Sequence, residues 1–270
     1  MNTTHKRLVT RGDDAGSCHA ANRAIHQACT KGLLRNVSVM VPGPAFDEVA
    51  PLFNDLNVSL GLHITLNAEW QDVKWRPIAP PDQVSSLLDQ DGFFQATPGH
   101  LYEIGFEIEE VMLEVRAQLN CAREAGLKIE YMDEHMGVSW LPGLRERFAQ
   151  FAREEGLLDA FPILSLPFPR DTNVDSSAQH DFEAATTEQV AKWIAALEAA
   201  PSGDYVLVTH PGEDNEEMRR FFLAGHEANG EVARDREIDR RAWCDPELRR
   251  YVETCNIEMI RYTDALQLPS

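Results

Sequence analysis

Residues 6–16, KRLVTRGDDAG, begin as a buried strand and end in two adjacent carboxylates. Leu8 and Val9 supply the apolar start, and Asp13 and Asp14 stand side by side between Gly12 and Gly16. Like charges this close repel one another, so a compensating cation is expected at the strand end. Neighbouring strand residues point to opposite faces, so only one aspartate can address a common centre unless the chain turns. Gly12 and Gly16 would permit such a turn. A plainer reading makes the pair an N-cap for a helix starting near Cys18.

The same pattern recurs along the chain. Short apolar or β-branched runs (KRLVT, RNVSVMVP, VSLGLHITL, KIEYMDEH, FPILSLP, YVLVTH, IEMIRY) alternate with helical patterns over 20–32, 45–55, 107–125, 143–155, 187–199 and 246–254. Gly32, Gly126 and Gly156 follow helical patterns where a C-cap belongs. This alternation predicts βαβ units and a parallel sheet, hence an α/β fold of (β/α) barrel type, irregular or incomplete. A doubly wound open sheet is the alternative, but no GxGxxG follows the first strand. The chain reads as one domain, 1–270, with a long proline-bearing insertion over about 67–102.

Active sites of such barrels gather where strands end. In GLHITLN, Leu62, Ile64 and Leu66 face one way, and His63, Thr65 and Asn67 the other. In YMDEHMG, Asp133 and His135 share a face, and VLVTHPG ends an apolar run at His210. A polar face on a buried strand must be paired. A lone strand histidine is more often a hydrogen-bonded core residue than a ligand, and the metal reading rests on the co-occurrence at successive strand ends. One carboxylate and two imidazoles suit an open site for a divalent ion. One of Asp13 and Asp14 would then be a ligand, and the other would lie near the bound water as its base. His5, His19, His26, His100, His180 and His226 lack this context and read as structural or surface residues.

Composition narrows the partners. With 25 basic and 44 acidic residues the net charge is -19, which disfavours nucleic acid and anionic membranes and suits a neutral or cationic small molecule. No run of about eighteen apolar residues occurs, so no transmembrane helix is expected. The N-terminal MNTTHKRLVTRGDD has no apolar signal-type core, and the five scattered cysteines form no CxxC pair, so a reducing, cytoplasmic location is expected.

With these residues assembled, the segments RGDDAG–SCHAANRAI, NVSVMVPGP, GLHITLNAEW, YMDEHMG and YVLVTHPG resemble the YdjC-like carbohydrate deacetylases, the family of chitooligosaccharide deacetylase. They appear in family order over roughly residues 7–212, and DREIDRRAWCDPELRRYVETCNIEMIRY has the look of the family's C-terminal part. The resemblance implies a distorted TIM-like barrel related to polysaccharide deacetylases, binding one divalent ion: Zn²⁺ or Mg²⁺ first, with Mn²⁺, Ni²⁺ or Co²⁺ compatible. It implies Asp14, His63 and His135 as metal ligands, Asp13 as general base and His210 as general acid. The implied reaction removes an acetyl group from an N-acetylated mono- or oligosaccharide, and the implied assembly is a homodimer. Two departures stand out. Ala15 replaces the aromatic of the usual DDFG, and the His-rich DxHxH is reduced to His135 followed by Met136 and Gly137, which opens a substrate other than chitobiose.

Trp70 and Trp75 follow the His63 strand and could stack on sugar rings or pack the insertion. Arg170 could bond a substrate hydroxyl or carboxylate, or form a surface salt bridge. Asp133 could orient His135 or a neighbouring ligand. Two other functions fit the same site: a metal-dependent esterase or amidase on a non-chitin substrate, and an inactive sugar-binding barrel. Retention of both Asp13 and His210 argues against the latter.

Overall fold

The computed structural model describes residues 5–163, 165–166, 181–225 and 230–266. A parallel sheet runs through it: β1 (Lys6–Ala15), β2 (Asn36–Val39), β3 (Ser59–Ile64), β4 (Ile129–Glu134), β5 (Leu158–Asp159), β6 (Gly203–Thr209) and β7 (Glu258–Ile260). The order is β5-β4-β3-β2-β1-β6, with β7 also on β1. β1 must be long because it serves three partners. β6 pairs with Lys6 to Gly12 along one edge, so β7 against Arg7–Val9 and β2 against Arg11–Ala15 share the other. Beyond β5, among the described residues, a single bridge joins Ser165 to Val206, curling the sheet towards closure. The result is an incomplete barrel in which strands buried on both faces read as near-continuous apolar runs. All six residues of β3 are buried.

Helices cover the outside. α1 (His19–Thr30) is alanine-rich and capped by the Cys18 sulfur, which accepts from the Ala21 N–H; the aspartate pair does not cap it. α2 (Val49–Phe53) is shorter than the pattern over 45–55 predicts, because a 3₁₀ turn takes up Phe46–Glu48. α3 (Pro98–Ile104) lies in the insertion, and α4 (Ile108–Glu124) follows it. α5 (Leu144–Glu155) ends at Gly156 in the left-handed region (φ 68°), as a C-cap glycine should. α6 (Phe182–Ala199) starts earlier than expected because Asp181 caps it, accepting from the Glu183 and Ala184 N–H groups. α8 (Pro246–Thr254) matches its predicted span, with Pro246 in the first turn and Asp245 as cap.

Two expectations need correction. The strand beside β4 is Leu158–Asp159, ahead of FPILSLP; of that run Phe161 to Ile163 form a turn, Ser165 makes a parallel bridge to Val206, and Leu164 and Pro167 lie outside the described residues. Pro162 cannot donate to a ladder, and Leu158 and Asp159 take the place beside β4 instead. The pattern also missed α7 (Glu231–Trp243). Its buried face carries Arg236 and Glu237 beside Ala233, Ala242 and Trp243, so its polarity does not alternate with burial. Trp243 packs against Trp193 with ring centroids 4.6 Å apart, fixing α7 to α6.

One glycine deserves its place by contact. A Cβ on Gly61 would lie 2.2 Å from the Tyr131 ring, so only glycine lets Tyr131 lie across β3. From there Tyr131 reaches Ser38, the hydroxyl oxygens lying 2.8 Å apart.

Candidate metal centre and active site

The end of β1 does not continue as a regular strand. Its register slips between Gly12 and Ala15, and Asp14 adopts φ 68°. A non-glycine residue in the left-handed region costs about 1–2 kcal/mol and persists only where its surroundings hold it. The turn is therefore made at Asp14 itself together with Gly16 (φ 98°), one of the two glycines expected to permit it. Its consequence is that both carboxylates reach the interior instead of facing opposite ways.

Asp14 Oδ1 lies 3.6 Å from His63 Nε2 and 3.3 Å from His135 Nδ1, and it has no hydrogen-bond partner although buried. One ligand atom from each of these three residues falls within 4.8 Å of the other two. Asp14 Oδ2 accepts from Arg236 Nη2 at 2.6 Å. The β3–β4 register sets His63 opposite Asp133, and their side chains meet at 2.8 Å between Nδ1 and Oδ1. Asp133 thus orients His63, and not His135. His135 sits past the end of β4, where Met136 (φ 51°) and Gly137 (φ 65°) turn the chain, and its Nε2 lies 3.1 Å from both oxygens of Glu69.

The charges decide whether a divalent ion fits. Asp13, Asp14, Glu69 and Asp133 all have side chains no more than 5% exposed, facing the guanidiniums of Arg11 and Arg236. With neutral imidazoles the cluster carries a formal excess of two negative charges, which buried groups tolerate only if matched. A single divalent ion beside the orphaned Asp14 Oδ1 matches it. Without an ion the imidazoles must answer this excess themselves. Burial pulls the His63 pKa down, but Asp133 and Asp13 outweigh it and raise it to about 10. Likewise burial opposes, but Glu69 and Asp14 raise His135 to about 9. Asp14 is held well below the usual carboxylate range, burial being overcome by Arg236 and the two histidines.

Asp13 is gripped by a fork: Arg11 Nε donates to Oδ1 at 2.6 Å and Nη2 to Oδ2 at 2.8 Å. The same guanidinium reaches Asp133 Oδ2 at 2.8 Å and donates to the Tyr262 hydroxyl at 3.1 Å. Asp13 Oδ2 is 4.0 Å from His63 Nε2, next to the candidate ligands Asp14, His63 and His135 without belonging to that triad. His210 stands at the end of β6, and its backbone N–H donates to Asp239 Oδ2 at 3.0 Å. The residue is solvent-exposed, yet protein atoms crowd its ring enough to lower its pKa, against the pull of Asp14 and Asp13.

The remaining expectations fare differently. Trp75 is 3% exposed, donates its indole N–H to the Asn67 carbonyl at 2.7 Å and sets its ring edge-on to His135. It supports the site from behind and leaves no face for a sugar. Trp70 is half-buried, edge-on to Phe221, with the Arg236 guanidinium 5.7 Å from its ring. Arg170 lies outside the described residues. Sequence reading missed Arg11, Glu69 and Arg236. Arg11 carried a signal, since a cation two residues before an aspartate pair shares its strand face. Glu69 and Arg236 lie in GLHITLNAEW and DREIDRRAW, segments that carry the resemblance, but no strand or helix period marks either side chain, because an insertion and a charged helix place them.

The profile of the YdjC-like protein family matches residues 7–254. A carbohydrate deacetylase from Thermoanaerobacter pseudethanolicus is 23% identical over 269 residues, spanning 96% of this chain and 98% of that protein. A carbohydrate deacetylase from Homo sapiens is 32% identical over 162 residues, 58% of this chain and 48% of that one. Among solved structures, a candidate cellobiose-phosphate cleavage protein from Enterococcus faecalis superposes with TM-score 0.74 at 18% identity, covering 97% of this chain and 100% of that one. A polysaccharide deacetylase from Bacillus cereus superposes with TM-score 0.50 at 12% identity, covering 98% and 96%. At such identities the structural likeness speaks for the barrel fold alone.

Proposed function

The chain belongs to the YdjC-like family, and from that premise we propose that it is a metal-dependent deacetylase acting on an N-acetylated mono- or oligosaccharide. The observation that carries the proposal is the orphaned Asp14 Oδ1 between His63 and His135, with Asp13 beside it and His210 across the strand ends. Asp14, His63 and His135 would hold the ion. When bound, it would supply Lewis acidity, lowering the pKa of water from about 16 to about 7 and polarising the acyl oxygen.

The chain's own groups handle the protons. Asp13, kept in place by the Arg11 fork, accepts the proton of the attacking water. Its oxygen near His63 Nε2 puts the base on the ligand side of the cluster. His210 donates to the leaving nitrogen, without which an amide expels its amine poorly. Solvent access lets His210 be reprotonated after each turnover, and its lowered pKa makes it a stronger acid once charged. Acetate and a free amino sugar result.

The test is acetate release from a panel of N-acetylated sugars, after chelation and again with each divalent ion restored, beside matched O-acetyl esters. Release from a sugar amide that disappears with the ion and returns with it is expected. Release from esters alone would replace the amide with an ester, and sugar binding without turnover under any ion would reduce the protein to a binding barrel.

A further inference from the structure

His63 and His135 present opposite nitrogens to Asp14: Nε2 from His63 and Nδ1 from His135. The outer nitrogen of His63 is held inside the sheet, by the residue that the β3–β4 register sets opposite it. His135 has left the sheet, and the left-handed residues behind it turn the chain away, so no strand neighbour can hold its ring. The only carboxylate at its outer nitrogen among the described residues comes from the insertion. We infer that Glu69 is the positioning residue of His135, and that the insertion is in this way a component of the metal centre.

The geometry leaves little freedom. Both Glu69 oxygens lie 3.1 Å from Nε2, and the side chain is 5% exposed. A carboxylate accepts, so Nε2 must carry the proton and Nδ1 must turn its lone pair to Asp14 Oδ1 and the ion's place. Glu69 is held in turn. Asn67 donates its amide to Glu69 Oε2 at 3.2 Å and to Met136 Sδ at 2.8 Å, while Trp75 donates to the Asn67 carbonyl and rests its edge on His135. Contacts therefore close a ring through Trp75, Asn67, Glu69 and His135. Glu69 sits on the nitrogen away from Asp14 and belongs neither to the Asp14, His63 and His135 group nor to the neighbouring Asp13, His63 and Asp133 group, so it orients the ligand and does not join it.

The inference rests on the metal reading above, and the experiment separates the two. Zn²⁺ and Mg²⁺ affinities are measured by competition titration for the wild type, Glu69→Ala, Glu69→Asp and Glu114→Ala, together with the ring N–H signals by nitrogen-edited NMR. Glu114 accepts from the Ile78 and Ala79 N–H groups, so its loss loosens the same insertion without touching His135. Glu69→Ala is expected to weaken the ion 10–100-fold, the usual range for a ligand's outer partner, and to abolish a protected Nε2–H signal of His135. Glu69→Asp should restore part of both, and Glu114→Ala should keep the signal and hold affinity within about twofold, well short of that range. Equal losses in Glu69→Ala and Glu114→Ala would overturn the inference, as would an unchanged His135 signal in a folded Glu69→Ala protein. If the wild type binds no divalent ion the metal reading falls, and the His135 signal still decides whether Glu69 orients the ring.

Discussion

His63 and His135 both face Asp14 Oδ1, but from different ground. His63 belongs to a fully buried strand, and its partner Asp133 is its register neighbour on β4. His135 stands in an irregular turn, and its partner Glu69 arrives from the insertion. One half of the site is therefore built by hydrogen-bond register, which cannot slip without moving every side chain of a strand. The other is built by side-chain contacts of a loop, which can loosen one at a time. The centre is rigid on one side and adjustable on the other.

The largest effect is expected at the strand-borne side. Asp13→Asn removes the proposed base and keeps an acceptor for only one of the two Arg11 N–H groups of the fork, and turnover should fall about 10²–10⁴-fold with the ion still bound. Steady-state kinetics beside a metal titration checks both halves of this outcome, and full turnover would remove Asp13 from its role. Arg11→Ala comes next. Asp13 and Asp133 would be left buried without their shared cation, and loss of one partner of a buried pair costs about 3–5 kcal/mol. Denaturant unfolding would register this as a lower midpoint with unchanged slope.

The comparison also explains what could be read from the sequence. Asp13, Asp14, His63, His135 and His210 were legible because strand alternation and strand ends place them, and a period of two survives in the chain itself. The parallel sheet followed from the alternation of runs with helices. Arg236 was hidden because α7 buries a charged face, so burial there does not track hydropathy. Glu69 was hidden because a contact 66 residues along the chain, made by a loop, has no period. The strand beside β4 was missed because two residues suffice for pairing there, fewer than any pattern can mark.

A smaller effect concerns protons on both histidines. In the ion-free protein His63 is raised to about 10 and His135 to about 9 from an ordinary 6.5. A base raised on folding stabilises the native state fully below its unfolded value and loses that stabilisation as pH rises through the folded one. The ion-free protein should therefore lose melting temperature between pH 6.5 and about 10, and the ion-loaded protein should lose less. Calorimetric titration of ion in buffers of different ionisation enthalpy should show about two protons released per ion near pH 7, since both ligands must bind neutral. Release of about one would mean that one imidazole is already neutral and the halves differ more than their geometry implies.

The smallest effect tests the loop-borne side at its far anchor. Glu114 on α4 accepts from the Ile78 and Ala79 N–H groups and from Gln118, and burial nevertheless pushes its pKa up to about 7 from 4.5. Removing it in Glu114→Ala leaves buried donors unpaired, a loss of roughly 1–3 kcal/mol. The sign of its pH dependence follows from the raised value. Between pH 4.5 and about 7 the unfolded chain has already released this proton while the folded one keeps it, so wild-type stability falls as pH rises through that window. The penalty of Glu114→Ala should accordingly be larger at pH 5 than at pH 8, measured by denaturant unfolding at both. A penalty growing with pH would mean that its three donors hold Glu114 ionised throughout, and that the insertion is fastened to the barrel by a charge as firmly as His63 is fastened by register.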